Sequence, residues 1–297
     1  LFGLVLTSPR DVVAKAPVIY ERLESAARVR IGKRGLYMAS VTRLSNGNLL
    51  ACTHYGSRHM QRLSLWLSSD LGGSWKRIQS KGDLLFGSGA TLKTLKDGSV
   101  LLHTGGLYRS EDDGVTWNII ESSDVGMTRS IVEQVDGKIF LFGSENSWYS
   151  GWEPPPVSLL GFQRAWYREG AQGSVAIRAA WRLTSNDGGR SWSQPEAIVN
   201  ERVSISGKTN WSELQSLFRE ASTIPLSPSH LLAAARRSEP EEHVVLMESR
   251  NNGLRWTTMG RFLPKGAVHP HLLALRDGYL LCTYALQEVP RGIFAVL

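Results

Sequence analysis

The sequence predicts an all-β fold, a β-propeller made of four-stranded antiparallel blades. Two sequence patterns support this prediction, because a tight turn that ends in tryptophan occurs four times and a hairpin signature occurs five times. A third observation is that no stretch has a convincing amphipathic helical period. With 42% hydrophobic and 21% charged residues, the composition is that of an ordinary globular domain.

The turn follows the pattern Ser-x-Asp-x-Gly-x-x-Trp. A short Asp side chain can accept hydrogen bonds from the amides of a tight turn, and Gly takes the positive φ that such a turn needs. We expect the Trp to pack on the edge of a small sheet while its indole N–H finds a partner. The turn is therefore predicted to build the fold rather than to catalyse. The four copies are SSDLGGSW (Ser68 to Trp75), SEDDGVTW (Ser110 to Trp117), SNDGGRSW (Ser185 to Trp192) and SRNNGLRW (Ser249 to Trp256).

The hairpin signature is an apolar strand, a turn around Asn-Gly or Asp-Gly, and a second apolar strand. Ser229 takes the glycine position in the fourth copy. Hairpin and turn combine into a four-stranded unit that recurs every ~40–60 residues, which is typical of propeller blades. The hairpin copies begin at Leu44, Leu95, Val135, Leu226 and Leu275, and the units begin near Tyr37, Ser88, Met127, Arg219 and Val268.

The fifth unit reaches only its third strand, in GIFAVL, so the last blade is expected to be incomplete at the C-terminus. The N-terminal segment, around VIYERL or ARVRI, is predicted to close the ring with the missing strands. We predict a single domain over residues 1–297 with six blades. Five blades are the alternative.

Charge and length exclude several classes of protein. The net charge is +7, but the basic residues are scattered, so nucleic acid is not a predicted partner. No apolar run reaches the ~18 residues of a membrane-spanning helix. The two cysteines, Cys52 and Cys282, lie in apolar stretches and are expected to be buried thiols. The seven histidines show no ligand spacing beyond His269-Pro-His271, so no metal or other cofactor is predicted.

The first strand of a propeller blade is usually innermost, so its first residues are expected around one mouth of a central channel. Alignment on the turn glycine places charged residues there, and such clusters are often sites. A structural ion pair between Glu220 and Arg236 is the alternative. The residues brought together are His54, Arg129, Glu220, Arg236, Arg237 and His269.

The longest insertion between strands is SENSWYSGWEPPPVSLLGFQRAWYREG, and it is rich in aromatic residues. Long loops in compact domains are commonly functional. Trp148 and Trp152 in this loop are candidates for packing against sugar rings, which have an apolar face and a polar rim. A self-packed loop is the equally open alternative.

With these turns and hairpins, the chain resembles the sialidase superfamily, whose members carry Asp-box repeats (bacterial neuraminidase repeats) on a six-bladed propeller. Sialidases have a Glu on the first strand of a late blade and an Arg about sixteen residues on, and REASTIPLSPSHLLAAARR matches with Glu220 and Arg236. The resemblance implies that Arg236 helps to bind a substrate carboxylate and that Glu220 assists a tyrosine nucleophile. Arg291 is the candidate for another carboxylate-binding arginine.

The chain departs from sialidases in its first unit. Tyr37 lies where the first substrate-binding arginine is expected, and residues 38–69 contain no Asp or Glu that could act as the acid/base. The polar candidates there are His54, Tyr55, Arg58 and His59. Tyr284 is present, but not at the nucleophile's place in the chain.

From the residues and the resemblance we predict a carbohydrate-active protein, a glycoside hydrolase acting on an acidic sugar, with Glu220, His54 and His59 as catalytic residues. The alternatives are an exo-arabinanase-like enzyme with Glu145 or Glu153 as second carboxylate, a lyase with a His or Tyr base, and a non-catalytic lectin or protein scaffold. The resemblance favours a secreted or periplasmic protein. The predicted substrate-binding residues are Tyr37, Arg58, Arg129, Arg236, Arg237, His269, Tyr284, Arg291, Trp148 and Trp152.

Overall fold

The structure is a computed structural model, and the parts of the chain that it describes are almost entirely strands and turns. The described residues are 21–22, 29, 31, 37–55, 62–81, 84, 90–104, 106–121, 127–149, 166–169, 175–194, 196–200, 220–237, 243–275, 278–286 and 292–297.

The strands follow the predicted repeat, because each apolar segment between turns is long enough for one strand of a half-buried sheet. In chain order the strands of the first three repeats, with one strand before them, are β1 (Glu21–Arg22), β2 (Tyr37–Arg43), β3 (Leu49–Tyr55), β4 (Arg62–Ser68), β5 (Lys76–Ile78), β6 (Thr91–Thr94), β7 (Val100–His103), β8 (Leu107–Ser110), β9 (Asn118–Glu121), β10 (Met127–Glu133), β11 (Ile139–Tyr149), β12 (Trp166–Glu169), β13 (Val175–Ser185) and β14 (Glu196–Ala197). The remaining strands are β15 (Val199–Asn200), β16 (Ser222–Ser227), β17 (His230–Arg237), β18 (His243–Ser249), β19 (Arg255–Arg261), β20 (Ala267–Ala274), β21 (Leu280–Leu286) and β22 (Gly292–Val296).

Among the described residues these strands form five sheets. Their orders are β2-β3-β4-β5, β6-β7-β8-β9, β10-β11-β13-β12 with β14 also on β13, β15-β19-β18-β17-β16, and β1-β22-β21-β20. Neighbours are antiparallel except that the short β15 runs parallel to β19. Each sheet is built on a four-stranded antiparallel blade.

The prediction of six blades is wrong, since the described part of the chain forms a five-bladed β-propeller. The physical reason lies in the N-terminal segment. Its described strand, β1, pairs antiparallel with β22, with Glu21 opposite Ala295. It therefore serves as the fourth strand of the last sheet rather than beginning a sixth. A single domain over 1–297, closed as a ring by this segment, stays a prediction.

The chain divides into two compact units, and consecutive sheets pack face to face within each of them. One unit comprises 1–26, 144–182 and 196–297, and the other comprises 27–143 and 183–195. In the first unit the core includes Leu232, Leu246, Leu272 and Phe294. In the second unit the core consists of Leu44, Leu50, Cys52, Leu65, Leu92, Val100, Leu102, Tyr108 and Trp117.

Both cysteines are buried free thiols, as predicted. Burial raises the pKa of the Cys52 thiol to about 12 and that of the Cys282 thiol to about 12. Because the thiolate is the reactive form, both side chains are inert components of the core.

The Asp-Gly-Trp turns, which are the four Ser-x-Asp-x-Gly-x-x-Trp segments, have the predicted geometry. In the first turn Asp70 accepts hydrogen bonds from the Ser74 amide at 2.8 Å and from its hydroxyl at 2.7 Å. The Gly72 amide donates to Ser68 Oγ at 2.8 Å, and the Trp75 indole donates to the Gly72 carbonyl at 3.1 Å. The serine–glycine and indole–carbonyl contacts recur in the turns that end at Trp117, Trp192 and Trp256.

Only glycine fits the centre of the second turn. Gly114 has φ +87°, and a Cβ atom there would lie 2.8 Å from the Leu50 Cδ2 atom. Since L-residues disfavour this φ and the space is already filled, the turn pattern is fixed sterically as well as by hydrogen bonds.

We predict that protonation of the turn aspartates destabilises the fold in acid. The Ser74 hydroxyl and amide lower the pKa of Asp70 to about 2, and the Ser191 hydroxyl and amide lower the pKa of Asp187. A carboxyl whose pKa is lowered in the folded state stabilises it above the unfolded pKa of about 4, and this contribution disappears as the pH falls towards 2. Urea unfolding between pH 5 and pH 2 measures the loss.

The fourth turn supplies the control for this experiment, because Asn251 occupies the aspartate position there and accepts the Arg255 amide at 2.9 Å without titrating. The triple variant Asp70→Asn, Asp112→Asn and Asp187→Asn is expected to flatten the pH dependence below pH 4. If the triple variant loses as much stability in acid as the parent protein, the turn aspartates are not the cause of the acid sensitivity.

Gln134 is an anomaly of the repeat. It directly follows a first strand, at the position that Leu44 and Leu95 occupy in their repeats. Its main-chain N–H makes the same turn hydrogen bond as theirs, here to the Lys138 carbonyl at 2.7 Å. The side chain is 2% exposed, and neither its Nε2 nor its Oε1 atom has a hydrogen-bond partner among the described residues. A buried amide without partners costs stability.

We therefore predict that Gln134→Leu raises the free energy of unfolding by about 1–3 kcal/mol. Chemical denaturation of both proteins is the measurement. Leu95→Gln is the matched reciprocal change, since Leu95 is 4% exposed at the equivalent position, and it is expected to lower stability by a similar amount. A loss of stability in Gln134→Leu would show that the side-chain amide of Gln134 has a hydrogen-bond partner.

Candidate functional site

The candidate site lies at the start of two neighbouring first strands in the first unit. Glu220 lies two residues before β16, Arg236 lies near the end of β17, and His269 lies near the start of β20. Because Ser222 pairs with Ala234 in the β16–β17 hairpin, Glu220 and Arg236 lie side by side across it. The predicted convergence of these three residues is therefore present.

A buried ion pair forms the base of the site. Arg236 Nη1 donates to Glu220 Oε1 at 2.7 Å, and the two side chains are 9% and 10% exposed. Desolvation of two charges is costly, and close hydrogen bonding repays part of that cost. The second oxygen, Glu220 Oε2, accepts the main-chain N–H of His269 at 3.2 Å and lies 3.6 Å from His269 Nδ1.

Both Glu220 and His269 have left-handed backbone conformations, with φ of 55° and 51°. Counted from the glycine position of their hairpin turns, the two residues occupy the same place in the repeat. Non-glycine residues pay about 1–2 kcal/mol for this conformation. Such strain clusters at functional sites, where the surrounding structure holds it in place.

Hydrogen bonds to serine side chains also connect one first strand to the next in this region. Ser222 Oγ accepts the Leu272 amide at 2.9 Å, just as Ser40 Oγ accepts the Leu92 amide at 3.0 Å in the second unit. The hydrogen bond from the His269 main-chain N–H to Glu220 also joins these two first strands, so Glu220 contributes to the fold as well as to the site. Sequence reasoning missed these hydroxyls, although Ser or Thr occurs seven residues before the turn position in four of the five repeats, at Ser40, Thr91, Ser130 and Ser222.

Tyr284 lies on β21 across from the segment that contains His269. The structure places its side chain in the core, 2% exposed and stacked on Phe294 with ring centroids 5.6 Å apart. Its predicted role in substrate binding stays a prediction that its burial does not support.

Five other predicted residues have a described backbone position but no described side chain. Tyr37 on β2 pairs directly with His54 on β3, at the same end of their hairpin as Glu220 and Arg236 in theirs. The other three are Arg129 on β10, Trp148 on β11 and Arg237 on β17. His59, Arg58, Trp152 and Arg291 lie outside the described residues.

The described residues contain no group of three or more His, Cys, Asp or Glu side chains arranged to hold a metal ion. They also contain no helix that is long and apolar enough to cross a membrane.

No family model matches the chain. A protein of unknown function from Dyadobacter fermentans has a similar solved structure, with a TM-score of 0.55 and 16% identity, and the match covers 89% of this chain and 79% of that one. The GH93 α-L-arabinofuranosidase of Fusarium graminearum, solved with arabinobiose, matches with a TM-score of 0.54 and 12% identity over 88% of this chain and 92% of that one. At these identities the likeness shows the fold alone, an all-β propeller.

Among curated proteins, the Photosystem II assembly protein Ycf48 of Thermosynechococcus vestitus is 29% identical over 142 residues. The match covers 46% of this chain and 37% of that protein. The chain therefore matches well under half the length of this curated relative.

Proposed function

We propose that the chain is a carbohydrate-active propeller of the glycoside hydrolase class, with its site at Glu220, Arg236 and His269. The observation that carries the proposal is the pair of strained residues, Glu220 and His269, in contact above a buried ion pair. The resemblance of this segment to sialidases and the fold likeness to an arabinofuranosidase support the sugar as ligand.

The chemistry of the cluster suits a sugar. The His269 side chain is 51% exposed, whereas the Glu220 carboxylate beside it is 10% exposed. The imidazole is therefore accessible to a ligand while the residue that it contacts is buried. Proton transfer and hydrogen bonding to hydroxyl groups are what a glycosidase requires of its polar residues. An acidic sugar remains part of the proposal, with Arg237, Arg129 and Arg291 as the further candidates for binding its carboxylate.

Hydrolysis with two carboxylates requires a second acid near Glu220, at ~5 Å for retention or ~6.5–9.5 Å for inversion of configuration. Glu145 on β11 and Glu153 are the candidates from the sequence. His54 and His59 remain the candidates for a substitute acid/base in the first repeat.

The test is hydrolysis of a panel of chromogenic glycosides that contains an α-L-arabinofuranoside and a sialoside, together with linear arabinan. Turnover of one substrate by the parent protein and a loss of at least about 100-fold in Glu220→Gln are expected, in line with the loss of an acid/base or orienting group. Each variant is assayed below its own unfolding temperature.

Glu248→Gln is the matched control. Glu248 Oε2 lies 3.2 Å from His230 Nε2 and 3.2 Å from Arg250 Nη2 at the opposite end of the same sheet, so its substitution removes polar contacts away from the site. We expect it to retain the parent rate. Absence of turnover on every substrate, or full activity in Glu220→Gln, would contradict the proposal.

A non-catalytic binding propeller is the second candidate function. Two observations favour it, because both oxygens of Glu220 already contact protein groups and the curated relative is named as an assembly protein. A glycan array distinguishes the two functions. Binding of a glycan that Arg236→Ala abolishes, without any turnover, would favour the lectin, whereas binding of no glycan would favour a protein-binding scaffold.

A further inference from the structure

We propose that His269 is the side chain that contacts the ligand at this site, that its Nε2 atom accepts a hydrogen bond from a saccharide hydroxyl, and that Glu220 is a positioning residue. The inference rests on the proposed function and deepens it.

Among the described non-glycine residues with a left-handed backbone, Glu220 and His269 are the two that do not lie in a tight turn. Six non-glycine residues of the described chain have φ between 51° and 61°. Four of them occupy turns that require this conformation, namely Leu71, Asp113 and Asn252 in the Asp-Gly-Trp turns and Ser229 at the glycine position of a hairpin. The two that remain are Glu220 and His269, which touch each other. Turn geometry does not account for their strain.

A bulge in β20 exposes the imidazole. The pairing of β20 with β21 shifts register between Val268 and His271, and β2 shifts at the matching place, between Tyr37 and Ser40. Bulges re-aim side chains and occur often beside active sites. In β20 the bulge carries His269, whose side chain is 51% exposed.

Glu220 orients the imidazole. Its Oε1 atom is taken by Arg236, whereas its Oε2 atom accepts the His269 main-chain N–H and faces Nδ1 at 3.6 Å. A proton on Nδ1 is attracted to this carboxylate, and a proton on Nε2 gains much less, so the neutral ring carries its proton on Nδ1. The described residues offer Nε2 no hydrogen bond. Because the His269 side chain is 51% exposed, its Nε2 lone pair is accessible to a ligand that donates a hydroxyl.

The first experiment reads the tautomer of His269 in the free protein by ¹⁵N NMR of the imidazoles, at an alkaline pH that keeps them neutral. His269 is expected to be protonated on Nδ1. His230 is the internal control, because its Nε2 atom faces Glu248 at 3.2 Å, and it is expected to show the opposite tautomer. Resonances are assigned by their loss in His269→Gln and His230→Gln.

An Nε2-protonated His269 in the parent protein would overturn the positioning role of Glu220. Glu220→Asp is the conservative variant, since it retains the charge opposite Arg236 while withdrawing it from the ring. It is expected to mix the two tautomers of His269 and to leave His230 unchanged. An unchanged His269 tautomer in this variant would also contradict the inference.

The second experiment separates binding from stability with His269→Gly. Glycine adopts φ 51° without strain and removes only a half-exposed ring, so we expect the melting temperature to stay equal or to rise. Binding is measured by titration with arabinobiose and with N-acetylneuraminic acid. We expect at least a tenfold loss of affinity for whichever sugar the parent binds, and a shift of the His269 Nε2 resonance in the parent.

A structural role would give the opposite pattern, namely a lower melting temperature with unchanged affinity, and would overturn the ligand contact. If the parent protein binds neither sugar, binds no glycan on the array and turns over no substrate of the panel, the proposed function fails, and the ligand-contact half of the inference fails with it. The tautomer result then decides the positioning half by itself.

Discussion

Trp256→Ala is expected to lower the free energy of unfolding by about 3–5 kcal/mol, the cost of truncating a buried tryptophan. Trp256 is fully buried, and its indole donates to the Gly253 carbonyl at 2.7 Å. Truncation therefore removes a large part of the packing in the fourth sheet and also leaves a buried carbonyl without its donor. Guanidinium unfolding followed by circular dichroism is the measurement.

Trp75 is the matched control, because it ends the first Asp-Gly-Trp turn with the same indole hydrogen bond but is only half-buried. Trp75→Ala is expected to cost clearly less than Trp256→Ala. Equal losses would show that the hydrogen bond, rather than the burial of the ring, gives the turn its effect on stability.

Glu220→Gln is expected to lower the free energy of unfolding by about 3–5 kcal/mol, because it removes the carboxylate charge that lies 2.7 Å from the buried Arg236 guanidinium. Arg236 is 9% exposed and Glu220 Oε1 lies 2.7 Å from it, so water screens the pair little. The double variant Glu220→Gln with Arg236→Met removes both charges of the pair and is expected to recover most of the stability lost in Glu220→Gln.

Chemical denaturation of the single and double variants measures this coupling. If the double variant is as unstable as the sum of the single variants Glu220→Gln and Arg236→Met, the two residues do not act as a pair. The same data set the temperatures at which the activity of Glu220→Gln is compared with that of the parent protein.

The turn and hairpin motifs predict the fold well because each is specified locally. Asp70 accepts hydrogen bonds from Ser74, and the Trp75 indole donates to Gly72, all within eight residues, so these contacts follow from the local sequence pattern. The number of blades is not local. The repeats leave the last blade one strand short and predict that a segment around VIYERL or ARVRI supplies it, and Glu21–Arg22 within VIYERL does pair with β22. They do not specify whether the N-terminal segment also builds a sixth blade.

The candidate site is partly predictable for a related reason. The hairpin register predicts that Glu220 lies beside Arg236, and the alignment of repeats predicts that His269 is near. The left-handed φ of Glu220 and His269 is not predictable, because neither residue type signals it as glycine would. Nor does the hydrophobic pattern show that Tyr284 enters the core, because a tyrosine in an apolar strand can face either way.

The most direct test of the account is a crystal structure of the protein soaked with the saccharide that it binds or cleaves best. We expect a sugar hydroxyl within hydrogen-bond distance of His269 Nε2, beside an intact ion pair of Glu220 and Arg236. A saccharide at the opposite end of the same sheet, beside His230 and Glu248, would contradict it.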